Sequence, residues 1–433
     1  MDILSQKVLA YGNKPLTGQM SVPGDKSISH RAVMFGSLAK GETNITNFLA
    51  GEDCLSTIAA FQAMGVQIDR NEHTVSIKSN GISGLTEPSQ PIDLGNSGTT
   101  ARLLMGILAG LPFHFTLFGD ASLSKRPMDR IANPLREMGA TIDGRDNGRL
   151  LPMSVRGGKL SPIDFKPPVK SAQVKSGVLL AGLLTDGVTT VEEVIKTRDH
   201  TENMLKAFGA NIEVEGTKVT IEGNQPLTGC DIEVPGDISS AAFFLVAAAI
   251  SEASNITIEN VGLNPTRTGI IDVLELMGVT ITVEEKRTVG GEPIGDITVK
   301  ASNVKGAEIE GDIIPRIIDE IPIIALLATQ ATGQTVIKDA EELRFKETDR
   351  IASVVQTLTT LGATITGTKD GMIIEGNTNL HGGVTQSFGD HRIGMMIAVA
   401  SLLTDEEIEL HDPECIAVSH PTFFEDLDSL LDN

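Results

Sequence analysis

Five times along this 433-residue chain, apolar residues at helical spacing run into a glycine and then into an alternation of apolar and polar positions. The phrases are Met64-Gly-Val-Gln-Ile, Met138-Gly-Ala-Thr-Ile, Phe208-Gly-Ala-Asn-Ile, Met277-Gly-Val-Thr-Ile and Leu361-Gly-Ala-Thr-Ile. Their glycines fall at 65, 139, 209, 278 and 362, a period of roughly 70 residues. Glycine tolerates the left-handed backbone that closes a helix, so each phrase predicts an amphipathic helix (199–208 and 349–361 are examples) that feeds a strand such as 66–69. A second set of helices lies out of phase with the first. These are rich in Ala and Leu, run about four turns each, and are predicted to begin near Gly24, Gly95, Pro168, Gly236, Arg316 and Gly389. Six α/β units of roughly 70 residues result, each with two helices and several short strands. An open solenoid would need capping ends and a stricter consensus, so the units are expected to group three to a domain.

Composition says what such units pack with. The chain has 14 Phe, one Tyr and no Trp, so its cores must be built from small and branched aliphatic side chains on closely packed helices. Its 35 Lys plus Arg against 57 Asp plus Glu give a net charge of −22, which argues against nucleic acid or an anionic membrane as the main partner. Three scattered cysteines, Cys54, Cys230 and Cys415, form neither a disulfide framework nor a CxxC site. The longest apolar run, 241–250, is too short to span a bilayer, and Met1-Asp2-Ile3-Leu4 lacks a signal-peptide pattern. A soluble cytoplasmic protein is expected.

The chemistry gathers at the starts of the small-residue helices. Gly24-Asp-Lys26-Ser27 with His30 and Arg31 opens the first, Gly95-Asn96-Ser97-Gly98 with Arg102 the second, and Lys170-Ser171-Ala172-Gln173 with Lys175 the third. Gly236-Asp-Ile-Ser239-Ser240 opens the fourth, Arg316 with Asp319 and Glu320 the fifth, and Gly389-Asp390-His391-Arg392 the sixth. Helix N-termini present unpaired N–H groups and partial positive charge, which suits anions. Any one of these starts is explained by capping, but a Lys or Arg at five of the six is more than capping requires. Further cations lie at Lys125, Arg126 and Arg130 and around Arg198, and Lys346, Glu347 and Arg350 are spaced to put both cations on one helical face beside a carboxylate. There is no HExxH, no GxGxxG, no GxSxG and no complete P-loop, so neither metal nor cofactor is expected. The residues predict a site for multiply anionic small molecules, with Asp319 and Glu347 as proton-transfer groups.

Nine motifs in order resemble the 5-enolpyruvylshikimate-3-phosphate synthase family over the full length: Gly24-Asp-Lys-Ser with Arg31, Gly95-Asn-Ser-Gly-Thr-Thr-Ala-Arg102, Arg126-Pro-Met, Ser171-Ala-Gln-Val-Lys175, Arg198-Asp-His-Thr-Glu202, Gly236-Asp-Ile-Ser-Ser, Asn264-Pro-Thr-Arg267, Lys346-Glu-Thr-Asp-Arg350 and Gly389-Asp-His-Arg392. The forms at 171–175, 198–202 and 264–267 are similar to the class II bacterial branch. The resemblance implies an inside-out α/β barrel of six βαβαββ-type repeats in two domains, 1–20 with 236–433 and 21–235, and an active site in the cleft between them. It implies transfer of the enolpyruvyl group of phosphoenolpyruvate to the 5-hydroxyl of shikimate 3-phosphate through a tetrahedral intermediate, a step toward chorismate and the aromatic amino acids.

By the same resemblance Lys26, Ser27, Arg31, Ser171, Ala172, Gln173, Arg198, Asp319 and Lys346 would hold shikimate 3-phosphate. Lys26, Asn96, Gly98, Arg126, Gln173, Glu347, Arg350, His391 and Arg392 would hold phosphoenolpyruvate. Asp319 would take the hydroxyl proton, and Glu347, with Lys26, would exchange a proton at the methylene carbon. The partners implied are these two substrates alone, with no nucleic acid, no membrane and a monomeric chain. Class I relatives carry a lysine between a C-terminal cysteine and the following proline, whereas Cys415 to Pro421 contains no Lys or Arg. Gly98 leaves room for a glyphosate-like inhibitor. Two rivals fit less well. The sister transferase acting on UDP-N-acetylglucosamine uses a loop cysteine that 111–130 lacks, and a non-enzymatic six-unit DNA clamp would need a continuous basic lining.

Overall fold

The computed structural model describes residues 5–431; Met1 to Leu4, read above for a signal pattern, and residues 432–433 lie outside the description. The chain divides into two compact units. The first-half unit is Gly24–Val234 together with Thr288–Glu292, and the second-half unit is Met1–Pro23, Pro235–Arg287 and Pro293–Asn433.

Repetition of one supersecondary unit produces both. In residues 92–156 an edge strand, Ile92–Asp93, leads into the helix Gly98–Ala109 and the strand His114–Phe118; the helix Asp129–Glu137 follows, and then the strands Thr141–Gly144 and Leu150–Arg156. The edge strand pairs parallel to His114–Phe118, with Ile92 opposite Leu117. The last two strands pair antiparallel, with Val155 opposite both Phe115 and Ile142. Those three side chains are buried, and their neighbours along each strand are more exposed, so the alternation read in the sequence is the sheet turning one face to its helices.

Eleven helices carry the pattern through the chain: α1 (Lys26–Leu38), α2 (Glu52–Ala63), α3 (Gly98–Ala109), α4 (Asp129–Glu137), α5 (Ala172–Leu183), α6 (His200–Ala207), α7 (Ile238–Ile250), α8 (Gly269–Leu276), α9 (Ile321–Thr329), α10 (Arg350–Thr360) and α11 (His391–Ala400). The odd-numbered ones are the small-residue helices and are buried almost all round; the even-numbered ones bury one face. Within each unit three buried helices therefore share a core, with sheets outside them. Close approach explains how such a core dispenses with aromatics: a Cβ on Gly106 of α3 would lie 2.0 Å from the carbonyl oxygen of Gly177 on α5. The five recurring glycines stand just past the C-termini of the even helices at φ of +89°, +111°, +89°, +86° and +97°, the left-handed cap that only glycine adopts freely.

Each unit closes by borrowing a strand. Ile232–Glu233, at the far end of the first-half unit, pairs parallel with Lys40–Thr46 of its first repeat. In the second-half unit Thr17–Ser21 does the same for Asn255–Gly262, and Gln6–Leu9 completes the last sheet against Ile408–His411.

Arg316 departs from expectation. It lies inside a single turn, Ile314–Ile317, and the buried helix α9 starts only at Ile321. Pro315 and Pro322 each sit in a first helical turn, and Pro322 has no N–H to continue a helix from Ile318, so the chain breaks between them. The Arg316 guanidinium turns to the Pro265 carbonyl at 2.8 Å and the Asp272 carboxylate at 2.5 Å and opens no helix.

Candidate active site

In the first-half unit the starts of α1, α3 and α5 are fastened to one another. Asp25, Ser97 and Ser171 cap them, accepting from Ile28, Thr100 and Val174 N–H respectively. Capping satisfies one orphan donor per helix and leaves further N–H groups of each first turn pointing outward. Lys26, in the first turn of α1, pairs with Asp53 of α2. Arg31, one turn on, is buried; its Nε donates to Thr201 Oγ1 at 2.7 Å, one Nη to the Ser27 carbonyl at 2.9 Å and the other to Ser176 Oγ at 3.0 Å. Burial drags the Arg31 guanidinium down to about 10, against the pull of Glu202 and Asp25, which still leaves it charged at neutral pH. His30 beside it is fully buried with Nδ1 2.7 Å from Thr57 Oγ1 and Nε2 without a hydrogen-bond partner. Burial first, then Lys26 and Arg31, push it well below the ordinary 6.5, so it is neutral.

On α3 and α5 the groups interlock in the same manner. Arg126 donates to the Asn96 side-chain carbonyl at 2.5 Å and to Ser122 Oγ at 3.2 Å. Gln173 accepts from Arg102 at 2.6 Å and donates to Thr99 Oγ1 at 3.0 Å, tying the first turns of α5 and α3 together. Gly98 lies against the two arginines: a Cβ there would be 3.0 Å from an Arg102 nitrogen and 3.2 Å from an Arg126 nitrogen. Ala172 is the first residue of α5, and Arg198 is half-buried two residues ahead of α6.

Lys175 belongs elsewhere. Counted by the sequence among the spare cations of the third helix start, it is wholly buried between Glu193, at 2.9 Å, and Glu202, at 2.7 Å. Burial opposes its charge, but Glu202 and Glu193 outweigh burial and hold it above the usual lysine value.

The second-half unit gathers the carboxylates. Asp319 precedes α9 and receives Lys346 Nζ and an Arg350 Nη, each 3.0 Å from its Oδ1. Arg350 also donates to Glu347 at 2.6 Å and to Asp390 at 2.7 Å. Burial works against the Arg350 charge, yet Asp390, Glu347 and Asp319 together hold its pKa above the usual arginine value. Lys346 and Arg350 do meet, though not by sharing a helical face. The helix α10 begins at Arg350 with Asp349 as its cap, and Lys346 lies in extended backbone before it. What joins them is the Asp319 carboxylate, 31 residues from Arg350. His391 and Arg392 open α11; both are buried, and an Arg392 Nη donates to the Ser239 carbonyl at 3.2 Å.

Several partners had no signal in the sequence: Asp53 on Lys26, Thr201 and Ser176 on Arg31, and Asp390 on Arg350. Between Cys415 and Pro421 the one basic side chain is His420, buried with Nε2 2.7 Å from Asp426 Oδ2. Among the described residues no group of three or more His, Cys, Asp or Glu side chains is placed to hold a metal ion, and no helix is long and apolar enough to cross a membrane.

Residues 10–427 match the family model for EPSP synthase (3-phosphoshikimate 1-carboxyvinyltransferase). The chain is 59% identical over 417 residues to the 3-phosphoshikimate 1-carboxyvinyltransferase of Bacillus cytotoxicus, covering 96% of this chain and 98% of that one. It is 58% identical to the enzyme of the same name from Oceanobacillus iheyensis, covering 96% and 97%. The solved structure of EPSP synthase from Acinetobacter baumannii superposes with a TM-score of 0.87 at 47% identity, covering 98% of each chain. The enolpyruvyl transferase NikO from Streptomyces tendae, at 18% identity and a TM-score of 0.79 over 99% of this chain and 98% of that one, shares the fold. With a family model matched over residues 10–427, identity above one half over nearly its whole length and a closely superposing solved structure, this chain belongs to the EPSP synthase family.

Proposed function

We propose residue roles for the reaction this chain catalyses, the transfer of the enolpyruvyl group of phosphoenolpyruvate to the 5-hydroxyl of shikimate 3-phosphate with release of phosphate. Shikimate 3-phosphate is held by Lys26, Ser27, Arg31, Ser171, the Ala172 backbone, Gln173 and Arg198, with Asp319 and Lys346 at its reacting side. Phosphoenolpyruvate is held by Lys26, Asn96, Gly98, Arg126, Gln173, Glu347, Arg350, His391 and Arg392. Both substrates carry a phosphate and a carboxylate, and paired cations with open helix N-termini supply the counter-charge that two such anions need. Asp319 takes the proton of the 5-hydroxyl as its oxygen adds to C2, and Glu347 delivers a proton to C3. The tetrahedral adduct then loses phosphate as the C3 proton returns to Glu347, with Lys26 assisting.

One observation carries this reading: Asp319 and Glu347, far apart in sequence, are bound to the same guanidinium, that of Arg350, with Lys346 on Asp319 as well. Two proton-transfer groups beside two cations is the arrangement that addition and elimination on an anionic substrate require. We place the enzyme in the cytoplasm as a monomer, and Gly98 leaves room for a compact phosphonate inhibitor such as glyphosate. Phosphate release from phosphoenolpyruvate, measured with shikimate 3-phosphate present, is expected to fall by roughly 10²- to 10⁴-fold in Asp319→Ala and in Glu347→Ala. Unchanged turnover in both would refute these roles.

A further inference from the structure

Glu320 is wholly buried, yet its side chain does not cap the helix α9 that it precedes. One carboxylate oxygen accepts from the Ser239 hydroxyl, and the other has no hydrogen-bond partner. Burying a carboxyl group with one oxygen unpartnered costs folding free energy, so its presence here calls for a use. Ser239 is the point of use. Its hydroxyl also accepts from an Arg267 Nη at 2.6 Å, and that same nitrogen donates to Asp237, the cap of α7, at 3.0 Å. Its carbonyl accepts from Arg392 at 3.2 Å. Among the described residues that carbonyl is the one hydrogen-bond partner of the Arg392 guanidinium, whose Nε is buried without any. The first turn of α7 is thus gripped through one side chain by α9, while its backbone aims a cation of α11.

We propose that Glu320 is a positioning residue for phosphoenolpyruvate: by fixing Ser239, it sets where the Arg392 guanidinium sits. The chain of contacts runs from the Glu320 carboxylate to the Ser239 hydroxyl, across the Ser239 backbone to its carbonyl, and on to Arg392. Glu320 touches no substrate, and its effect appears only through Arg392. The inference rests on the reading that Arg392 binds phosphoenolpyruvate.

The test is steady-state kinetics on the full-length enzyme with Glu320→Ala, Ser239→Ala, their double variant, Glu320→Gln and Arg392→Ala, alongside calorimetric titration of shikimate 3-phosphate in the absence of phosphoenolpyruvate. Glu320→Ala and Ser239→Ala are each expected to raise KM for phosphoenolpyruvate roughly tenfold, with affinity for shikimate 3-phosphate changed less than about threefold. The double variant should be no worse than the poorer single, because both break one chain of contacts. Glu320→Gln keeps an acceptor for the serine hydroxyl and should recover most of the loss. Equal losses toward both substrates without recovery in Glu320→Gln would mean a merely structural role and overturn the proposal, as would an unchanged KM in Glu320→Ala while Arg392→Ala raises it. An Arg392→Ala enzyme with unaltered KM for phosphoenolpyruvate would instead refute the role of Arg392 itself, and this proposal with it.

Discussion

Gly98 and Lys175 both lie near helix starts, yet mutation should separate them, the first proposed to face phosphoenolpyruvate and the second buried in ion pairs with Glu193 and Glu202. Gly98→Ala adds a methyl group that must push the Arg102 and Arg126 guanidinium ends, 3.0 and 3.2 Å from it, by a few tenths of an ångström. Both are flexible tips, so the fold should survive with its melting temperature unchanged while KM for phosphoenolpyruvate rises roughly tenfold from misplaced cations. An unaltered KM would sink the argument. Lys175→Met should act on stability. It leaves Glu193 and Glu202 buried without their cation, at a loss of about 3–5 kcal/mol in urea unfolding. In sequence Lys175 and Lys26 look alike, each a lysine near a helix start. Only burial and the positions of Glu193 and Glu202 separate them, and those depend on how strand and helix fold back onto α5.

At the scale of elements, glycines do two distinct jobs that mutation can separate. Gly209 follows α6 at φ +89°, and nothing lies within 4 Å of the position a Cβ would take. Gly209→Ala should therefore lose about 1–2 kcal/mol, the strain of a left-handed alanine alone. Gly106, in the middle of α3, has ordinary helical backbone, but its Cβ would overlap the Gly177 carbonyl of α5 at 2.0 Å. Gly106→Ala must prise two buried helices apart and should lose about 3 kcal/mol, with an earlier thermal transition. Similar melting curves for the two variants would contradict this division. The capping glycines were legible in the sequence because a helix C-terminus is a local event, marked by periodicity ending at a residue that accepts positive φ. Gly106 was not legible, since nothing near it in sequence announces which helix will lie against it.

For the molecule as a whole, the first-half unit hides a histidine that should make stability depend on pH. His30 is neutral in the fold because its pKa lies well below the ordinary 6.5, so below pH 6.5 the unfolded chain binds a proton that the native chain refuses. The contribution is fully present above 6.5 and is lost as pH falls toward the folded value. Between pH 6.5 and 5.5 the parent should lose about 1 kcal/mol more than His30→Gln does, read from urea midpoints at the two values. Parallel pH profiles for parent and variant would show that His30 does not set this dependence.

The sequence by itself determined the two kinds of helix, the glycine caps and the gathering of polar residues at helix starts, because each is written within some fifteen consecutive residues and follows from local sterics and periodicity, and the recurrence of those local signals showed the repeat. It also carried the family resemblance, since the motifs are short runs such as Gly24 to Ser27 and Gly389 to Arg392. Tertiary structure alone decided which charges meet. Asp319 with Lys346 and Arg350, Lys26 with Asp53 and Ser239 with Glu320 are separated by 27, 31, 27 and 81 residues. Such pairs come together only when separate elements of a unit pack around one core, and the strength of each depends on how far that packing excludes water.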